Sequence, residues 1–367
     1  MPVGDGRFFM SATTKFYPLR VRALRRETAD TVSVAFEVPE DLQPLFQFKP
    51  GQYLNLRTEI DGVDQRRSYS ICSAPAEQEL RVAIKKVAGG VFSTFANERL
   101  QVGDKLLVMP PQGRFGTELS TDNSHLYVAF AAGSGITPVI SILKNVLYEE
   151  PQSRFLLFFG NRGFDHIIFR ETLEALKNRY PDRLAVHHVL SRESVGAEWF
   201  HGRIDADKCR AYARLLFRPE EVDAYFLCGP EDMIFEIKPA LEALGADPKR
   251  LHLELFTTAG MPKRERPASS PEERVDASVT VIQDGARFDF QLPSDGSTLL
   301  DAAMRAGADL PFSCKGGVCS TCKARVLEGE VAMELNYGLE PDEVEAGYVL
   351  MCQSHPKSEK VVVSFDA

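Results

Sequence analysis

Four of the seven cysteines of this 367-residue chain fall within its last 54 residues, and their spacing limits what that end can become. Cys314-x4-Cys319-x2-Cys322 is followed by 29 residues and then by Cys352. Three thiols on one short loop and a fourth from far along the chain is the plant-type spacing for a [2Fe–2S] cluster. Two irons need four thiolates. A loop can wrap such a centre where a helix cannot, and the fourth ligand is expected from a distant strand. Gly316 and Gly317 let the loop backbone come close and donate N–H groups to sulfur. The competing reading is zinc, whose ligands usually pair as two short C-x2–4-C units; a run of three on one loop departs from that. Cys314, Cys319, Cys322 and Cys352 are therefore the candidate metal ligands. Cys72 and Cys209 lack partners at ligand spacing and read as packing residues.

The length allows two or three domains. A formal net charge of −9 argues against a nucleic-acid partner, which would need a basic surface. No apolar run approaches the ~20 residues that span a bilayer, and Met1–Thr14 has no stretch suited to a signal peptide. The expectation is a cytoplasmic protein with no membrane partner, its cysteines reduced or ligating.

Pattern divides the chain. From about 16 to 120, short runs such as Thr31–Val38, Gln52–Ile60, Leu80–Val87 and Lys105–Met109 lie between Pro, Gly and Asp turns, which suits a small β-barrel. From 121 to 258, apolar strands (Leu126–Ala132, Phe155–Phe159, Leu184–Leu190, Ala224–Cys228, Leu251–Phe256) alternate with helical periodicity, which predicts an α/β unit on a parallel sheet. Residues 259–277 hold Pro262, Pro267, Ser269, Ser270 and Pro271 among charges and read as a linker, a tether on which the last unit, 278–367, can meet one neighbour and then another.

Arg67-Ser68-Tyr69-Ser70 lies on a predicted strand. A flavin needs a cation for its pyrophosphate, an aromatic ring against the isoalloxazine and a small hydroxyl near N5, and Arg67, Tyr69 and Ser70 are of those types. Alternation sets Arg67 and Tyr69 on one face and Ser70 on the other. Ala83-Ile84-Lys85 ends in a second cation. Gly90-Val91-Phe92-Ser93 can open a helix whose N-terminus faces phosphate.

In the α/β unit, Gly133-Ser134-Gly135-x-Thr137-Pro138 follows a strand and opens a helix, with Thr137 the expected N-cap and Pro138 the first helical residue. The two glycines bring free N–H groups to a pyrophosphate. Cys228-Gly229-Pro230 ends another strand at the edge where such sheets bind ligands. Ser191 and Arg192 supply the hydroxyl and planar cation that a 2′-phosphate needs, with Arg162 as a further cation. NADPH is thus favoured, with NADH the alternative. Glu254 and Phe256 share a face of the last strand. His187, His188, His355 and Trp199 read as structural or uninformative.

The order of the Arg67–Ser70, Ala83–Lys85, Gly90–Ser93 and Gly133–Pro138 segments resembles the ferredoxin–NADP reductase superfamily over residues 16–258, and the last 90 residues resemble plant-type ferredoxins. The resemblance implies three units: an FAD-binding β-barrel, a nicotinamide-binding α/β domain and an α+β (β-grasp) ferredoxin domain. It implies that Cys228 lies beside the nicotinamide, that Phe256 covers the flavin ring, and that Ser70, Cys228 and Glu254 form the catalytic set. Leu24–Thr28, Arg66–Cys72, Ala129–Pro138, Gly160–Arg162 and His188–Glu193 are similar to the reductase subunits of the oxygenases that epoxidise an aromatic CoA thioester in phenylacetate degradation. That similarity implies electron flow from NADPH through FAD and [2Fe–2S] to a multisubunit, di-iron oxygenase component. Reductases of steroid or aromatic hydroxylases and of hybrid-cluster proteins share the architecture. A redox-sensing iron–sulfur interaction module is the alternative of another class.

Overall fold

The computed structural model describes residues 15–193, 196–256 and 274–367. Its first sheet has six antiparallel strands in the order β4-β3-β6-β1-β2-β5: β1 (Tyr17–Thr28), β2 (Thr31–Glu37), β3 (Tyr53–Ile60), β4 (Val63–Ser70), β5 (Leu80–Lys85) and β6 (Lys105–Val108). An Ile71–Val82 bridge joins the two edges, so the sheet closes into a barrel. Alternation decides what fills it: Leu19, Val21, Val34, Leu54, Leu56, Val82 and Ile84 are fully buried. Each such side chain contributes roughly 1.5–3 kcal/mol of burial. Helix α1 (Val91–Glu98) plugs the barrel with Phe92 and Ala96. The sequence pattern missed β1. Its outward positions are Arg20 and Arg22, and the inward Leu19 and Val21 make a stripe too narrow to stand out.

The second unit is a five-stranded parallel sheet in the order β11-β10-β7-β8-β9, with β7 Leu126–Ala132, β8 Arg154–Asn161, β9 Leu184–Leu190, β10 Ala224–Gly229 and β11 Leu251–Leu255. Helices α2 (Ile136–Glu149) and α3 (Arg170–Arg179) cover one face, and α4 (Ala206–Leu215) and α5 (Glu231–Ala243) the other. Both faces are buried, so β7 and the interior of β8 (Phe155–Phe159) are apolar without alternation. Cys209 sits in the α4 core. Cys72 packs into the α2-side cluster at the seam with the barrel, where Ser141 donates to the Ser73 carbonyl at 2.6 Å and Lys144 pairs with Glu77 at 2.9 Å. The strand order reverses between β7 and β10, opening a crevice at their carboxyl ends.

The third unit is a mixed sheet, β13-β12-β18-β14-β16, with β12 Asp276–Gln283, β13 Ala286–Pro293, β14 Lys323–Glu328, β16 Tyr348–Leu350 and β18 Lys360–Ser364; β12 and β18 run parallel and the other pairs antiparallel. A small sheet of β15 (Val331–Met333) and β17 (Ser354–Pro356) flanks it, with α7 (Pro341–Glu345) nearby. Asp284 and Gly285, both at positive φ, make the two-residue turn that the β12–β13 hairpin needs. Helix α6 (Leu299–Arg305) lies on the sheet, its N-terminus capped by Thr298. This is the β-grasp expected of the last 90 residues. The linker expected at 259–277 falls largely outside the described residues. Among the described residues, no helix is long and apolar enough to cross a membrane.

Candidate electron-transfer site

The cluster loop leaves the chain after Leu310 and returns at Lys323. Lys315 and Ser320 adopt positive φ, as does Gly317 at +76°, and these reversals curl the loop on itself. A Cβ on Gly317 would lie 3.1 Å from the Leu335 carbonyl and 3.2 Å from Gln353. The four thiols fall into two contacting pairs, Cys314 with Cys319 and Cys322 with Cys352. Among the described residues, no three His, Cys, Asp or Glu groups converge as a single-ion site would need. Two contacting pairs, one thiolate pair for each iron, suit a two-iron centre, so the residues present fit the cluster. Cys319 donates to Cys314, and the N–H groups of Gly316 and Val318 point at the same sulfur; together they outweigh burial and hold the Cys314 thiol down to about 6. Cys314 is partly exposed and the other three are buried. Cys352 is not on a strand, as the spacing suggested. It sits in a 3₁₀ turn, Met351–Gln353, just beyond β16, with its thiol against Cys322.

The flavin-binding candidates gather where the barrel meets the parallel sheet. Along β4, Arg66, Ser68 and Ser70 share one face, and Arg67 and Tyr69 the other. Tyr69 rests on Phe92 with ring centroids 5.6 Å apart. Arg67 is half-buried and donates to the Arg66 carbonyl. The Ser68 hydroxyl is shared with Asn55 and with Ser313 of the third unit. Ile84 is barrel core, Ala83 points the other way into the α2-side cluster, and Lys85 lines the neighbouring cleft. Helix α1 does begin at Val91, after Gly90, where a Cβ would come within 2.4 Å of Val87 and 2.5 Å of the Ser93 hydroxyl.

The three residues expected to be catalytic meet. Ser70 donates to Glu254 at 3.2 Å, across 184 residues of sequence. Glu254 pairs with Cys228 in the parallel register of β10 and β11. Burial pushes the Glu254 carboxyl up to about 8, against the pull of the Ser70 hydroxyl. Burial and the neighbouring Glu254 push the Cys228 thiol well above its ordinary value, so it stays protonated.

The nucleotide candidates line one cleft of about 1200 Å³ at the reversal point of the sheet: Gly133, Ser134, Arg162, Ser191, Arg192, Gly229, Pro230 and Phe256. The two glycines serve different ends. Gly133 is left-handed at φ +53°, whereas a Cβ on Gly135 would lie 2.0 Å from the Cys228 carbonyl. Thr137 is not the N-cap: α2 already starts at Ile136, continuing a 3₁₀ turn over Gly133–Gly135, and Thr137 turns back to donate to the Ser134 carbonyl at 3.0 Å. Pro138 remains in the first turn, where its missing N–H costs nothing. The Asn161 side-chain nitrogen is buried on this cleft and has no hydrogen-bond partner among the described residues. That orphan donor, the close glycine approach and the cations Lys85, Arg162, Arg192 and Arg203 fit a dinucleotide. The sequence reading missed Asn161, His166 and Arg203 on the cleft wall, although Asn161 sits inside a segment it had singled out.

Fold and site together define a flavin- and iron–sulfur-dependent oxidoreductase that works with a nicotinamide dinucleotide. Family models agree: the oxidoreductase FAD-binding domain matches residues 18–116, the oxidoreductase NAD-binding domain 130–238 and the 2Fe-2S iron-sulfur cluster binding domain 281–357. The chain is 45% identical to one of the subunits of the 1,2-phenylacetyl-CoA epoxidase of Escherichia coli K12, over 96% of this chain and 99% of that one. It is 37% identical to the ferredoxin reductase component of the 3-ketosteroid-9-alpha-monooxygenase of Rhodococcus rhodochrous, over 95% and 96%. Phthalate dioxygenase reductase shares its fold, with a TM-score of 0.59 at 20% identity over 95% of this chain and 98% of that one. The chain belongs to the ferredoxin-reductase superfamily, in the family of three-domain oxygenase reductase components.

Proposed function

We propose that this chain draws a hydride from NADPH and delivers single electrons through its cluster to a multisubunit, di-iron oxygenase that epoxidises the ring of phenylacetyl-CoA. One observation carries the reading: one face of a single barrel hairpin, β3–β4, meets Glu254 beside Cys228 through Ser70 at one end and the cysteine loop through Ser68, Asn55 and Tyr53 along the rest. When bound, FAD converts a two-electron hydride into two one-electron transfers, which the cluster takes singly.

The chain's own residues position and protect. Gly133–Gly135 brings backbone N–H groups to the nucleotide phosphates at the carboxyl end of β7, and Gly229 and Pro230 wall the cleft at the end of β10. Phe256, on the same cleft, is the ring that nicotinamide displaces or joins. Ser70 offers a hydroxyl at the reacting corner, and Glu254, largely protonated below pH 8, can both hold that hydroxyl and give up a proton. Arg67, Lys85 and the N-terminus of α1 receive the flavin pyrophosphate. Ser191 and Arg192 face the cleft for a 2′-phosphate, while Glu193, which would oppose one, is engaged by the Phe164 N–H at 3.1 Å.

Anaerobic titration of the FAD- and cluster-loaded protein tests this. NADPH should bleach the flavin and then raise the electron paramagnetic resonance of a reduced [2Fe–2S] centre, at lower concentrations than NADH requires. The reduced protein should support ring epoxidation by a purified phenylacetyl-CoA oxygenase component. A silent cluster would overturn the relay, preference for NADH the 2′-phosphate assignment, and turnover only with a steroid hydroxylase the assigned acceptor.

A further inference from the structure

The barrel hairpin meets the third unit through a ladder of side chains that the relay itself does not explain. In the β3–β4 register, Arg57 pairs with Arg66, Asn55 with Ser68 and Tyr53 with Ser70. All six lie on one face, and each rung reaches the third unit. On the first, Arg66 donates to Asp309 at 2.6 Å and to the Leu310 carbonyl at 3.0 Å, its guanidinium 4.5 Å from the centre of the Phe312 ring; Arg57 donates to the same Asp309 at 3.1 Å. On the second, Asn55 donates to Thr321 at 3.1 Å, and Ser68 bonds Ser313 at 2.8 Å. On the third, the Tyr53 phenol donates to the backbone carbonyl of Cys319, itself a candidate cluster ligand. Tyr53 and Asn55 are buried.

The last rung is the informative one. Its other member, Ser70, is the hydroxyl at the reacting corner, bonded to Glu254. One cross-strand pair and one hydrogen bond therefore separate the flavin side of the barrel from a cluster ligand. We infer that Tyr53 is a positioning residue for electron transfer: its phenol fixes the Cys319 segment against the flavin edge of the barrel. The inference rests on the relay proposed above and names the contact that makes its internal step fast. In that step one electron leaves the reduced flavin and enters the oxidised cluster; Tyr53 keeps its proton and forms no bond beyond the hydrogen bond it already holds. Transfer through a protein weakens steeply with each gap in the bonded path, so a contact that removes a gap acts on this step and not on hydride transfer.

Tyr53→Phe in the FAD- and cluster-loaded protein, mixed rapidly with NADPH, separates the two steps. Flavin bleaching should keep its wild-type rate, and cluster reduction should slow several-fold. Hydrogen–deuterium exchange in the peptide spanning 312–322 should rise in the resting protein, a readout independent of turnover. Thr321→Val, which removes the second-rung acceptor at nearly constant volume, should act in the same direction and non-additively with Tyr53→Phe. Unchanged cluster reduction in both variants, or equal slowing of flavin and cluster, would overturn the inference. A wild-type cluster that NADPH never reduces would instead overturn the relay on which it rests.

Discussion

At the residue scale, chemistry here depends on groups held away from their solution behaviour. Glu254 has a folded-state pKa raised to about 8, against an ordinary value of 4.5, because burial penalises its charge. The folded state then holds a proton that the unfolded chain releases between these values, so Glu254 favours folding below about pH 4.5 and loses that contribution as pH rises through 8. Melting of the flavin-free protein should show it. The midpoint should fall from pH 5 to 8 more steeply in wild type than in Glu254→Gln, and parallel curves would contradict the assignment. Ser70, Cys228 and Glu254 were each legible by type from a four-residue motif, a strand end and an alternating strand. Their meeting was not legible, because a 3.2 Å contact across 184 residues depends on how two units dock.

At the scale of elements, the cysteine loop shows how local spacing becomes a binding shape. Its pattern was readable because four thiolates and two irons permit few spacings. The reversals at Lys315, Gly317 and Ser320 were not, since only Gly317 announces a positive φ by its type. Gly317→Ala should strain the loop by about 1–2 kcal/mol and press a methyl toward Leu335 and Gln353. Bound iron should fall by half or more after reconstitution while FAD content holds; full iron occupancy would show that the loop tolerates the change. The opening of α2 carries the same lesson. Thr-Pro suggested a cap at Thr137, but the helix already starts at Ile136 off the Gly133–Gly135 turn, two residues earlier, so the hydroxyl turns back to the Ser134 carbonyl.

At the scale of the molecule, the barrel joins both other units through seams that carry polar contacts, and Phe235 of the parallel-sheet unit also meets Tyr337 of the third. The barrel meets the parallel sheet through Ser141, Lys144 and Ser70, and the ferredoxin unit through the β3–β4 ladder. Arg66 dominates the second seam. Its side chain is 2% exposed and its partner Asp309 is 64% exposed, so losing the arginine leaves no carboxylate stranded in the interior. The cost is therefore about 1–3 kcal/mol, below that of breaking a fully buried pair. Arg66→Gln should loosen the ferredoxin unit and split a single calorimetric transition into two; a single transition at the wild-type midpoint would show that the seam does not depend on it. A tethered unit free to leave the barrel was the expectation from the Pro-rich stretch, and the structure shows that unit seated.

The sequence by itself determined the three units, their order and the four candidate cysteine ligands, because each rests on short-range rules: strand alternation, helical periodicity and the few spacings that wrap a two-iron centre. Only the tertiary structure decided that one hairpin contacts both Glu254 and the cysteine loop. Arg66, Asn55 and Tyr53 look in sequence like ordinary strand residues, and Asp309, Thr321 and Cys319 lie more than 240 residues away. No local rule links them. They meet because the way the units dock, through polar ladders and a few apolar contacts such as Phe115 on Phe226, is set by the whole surface of each unit and not by any local pattern.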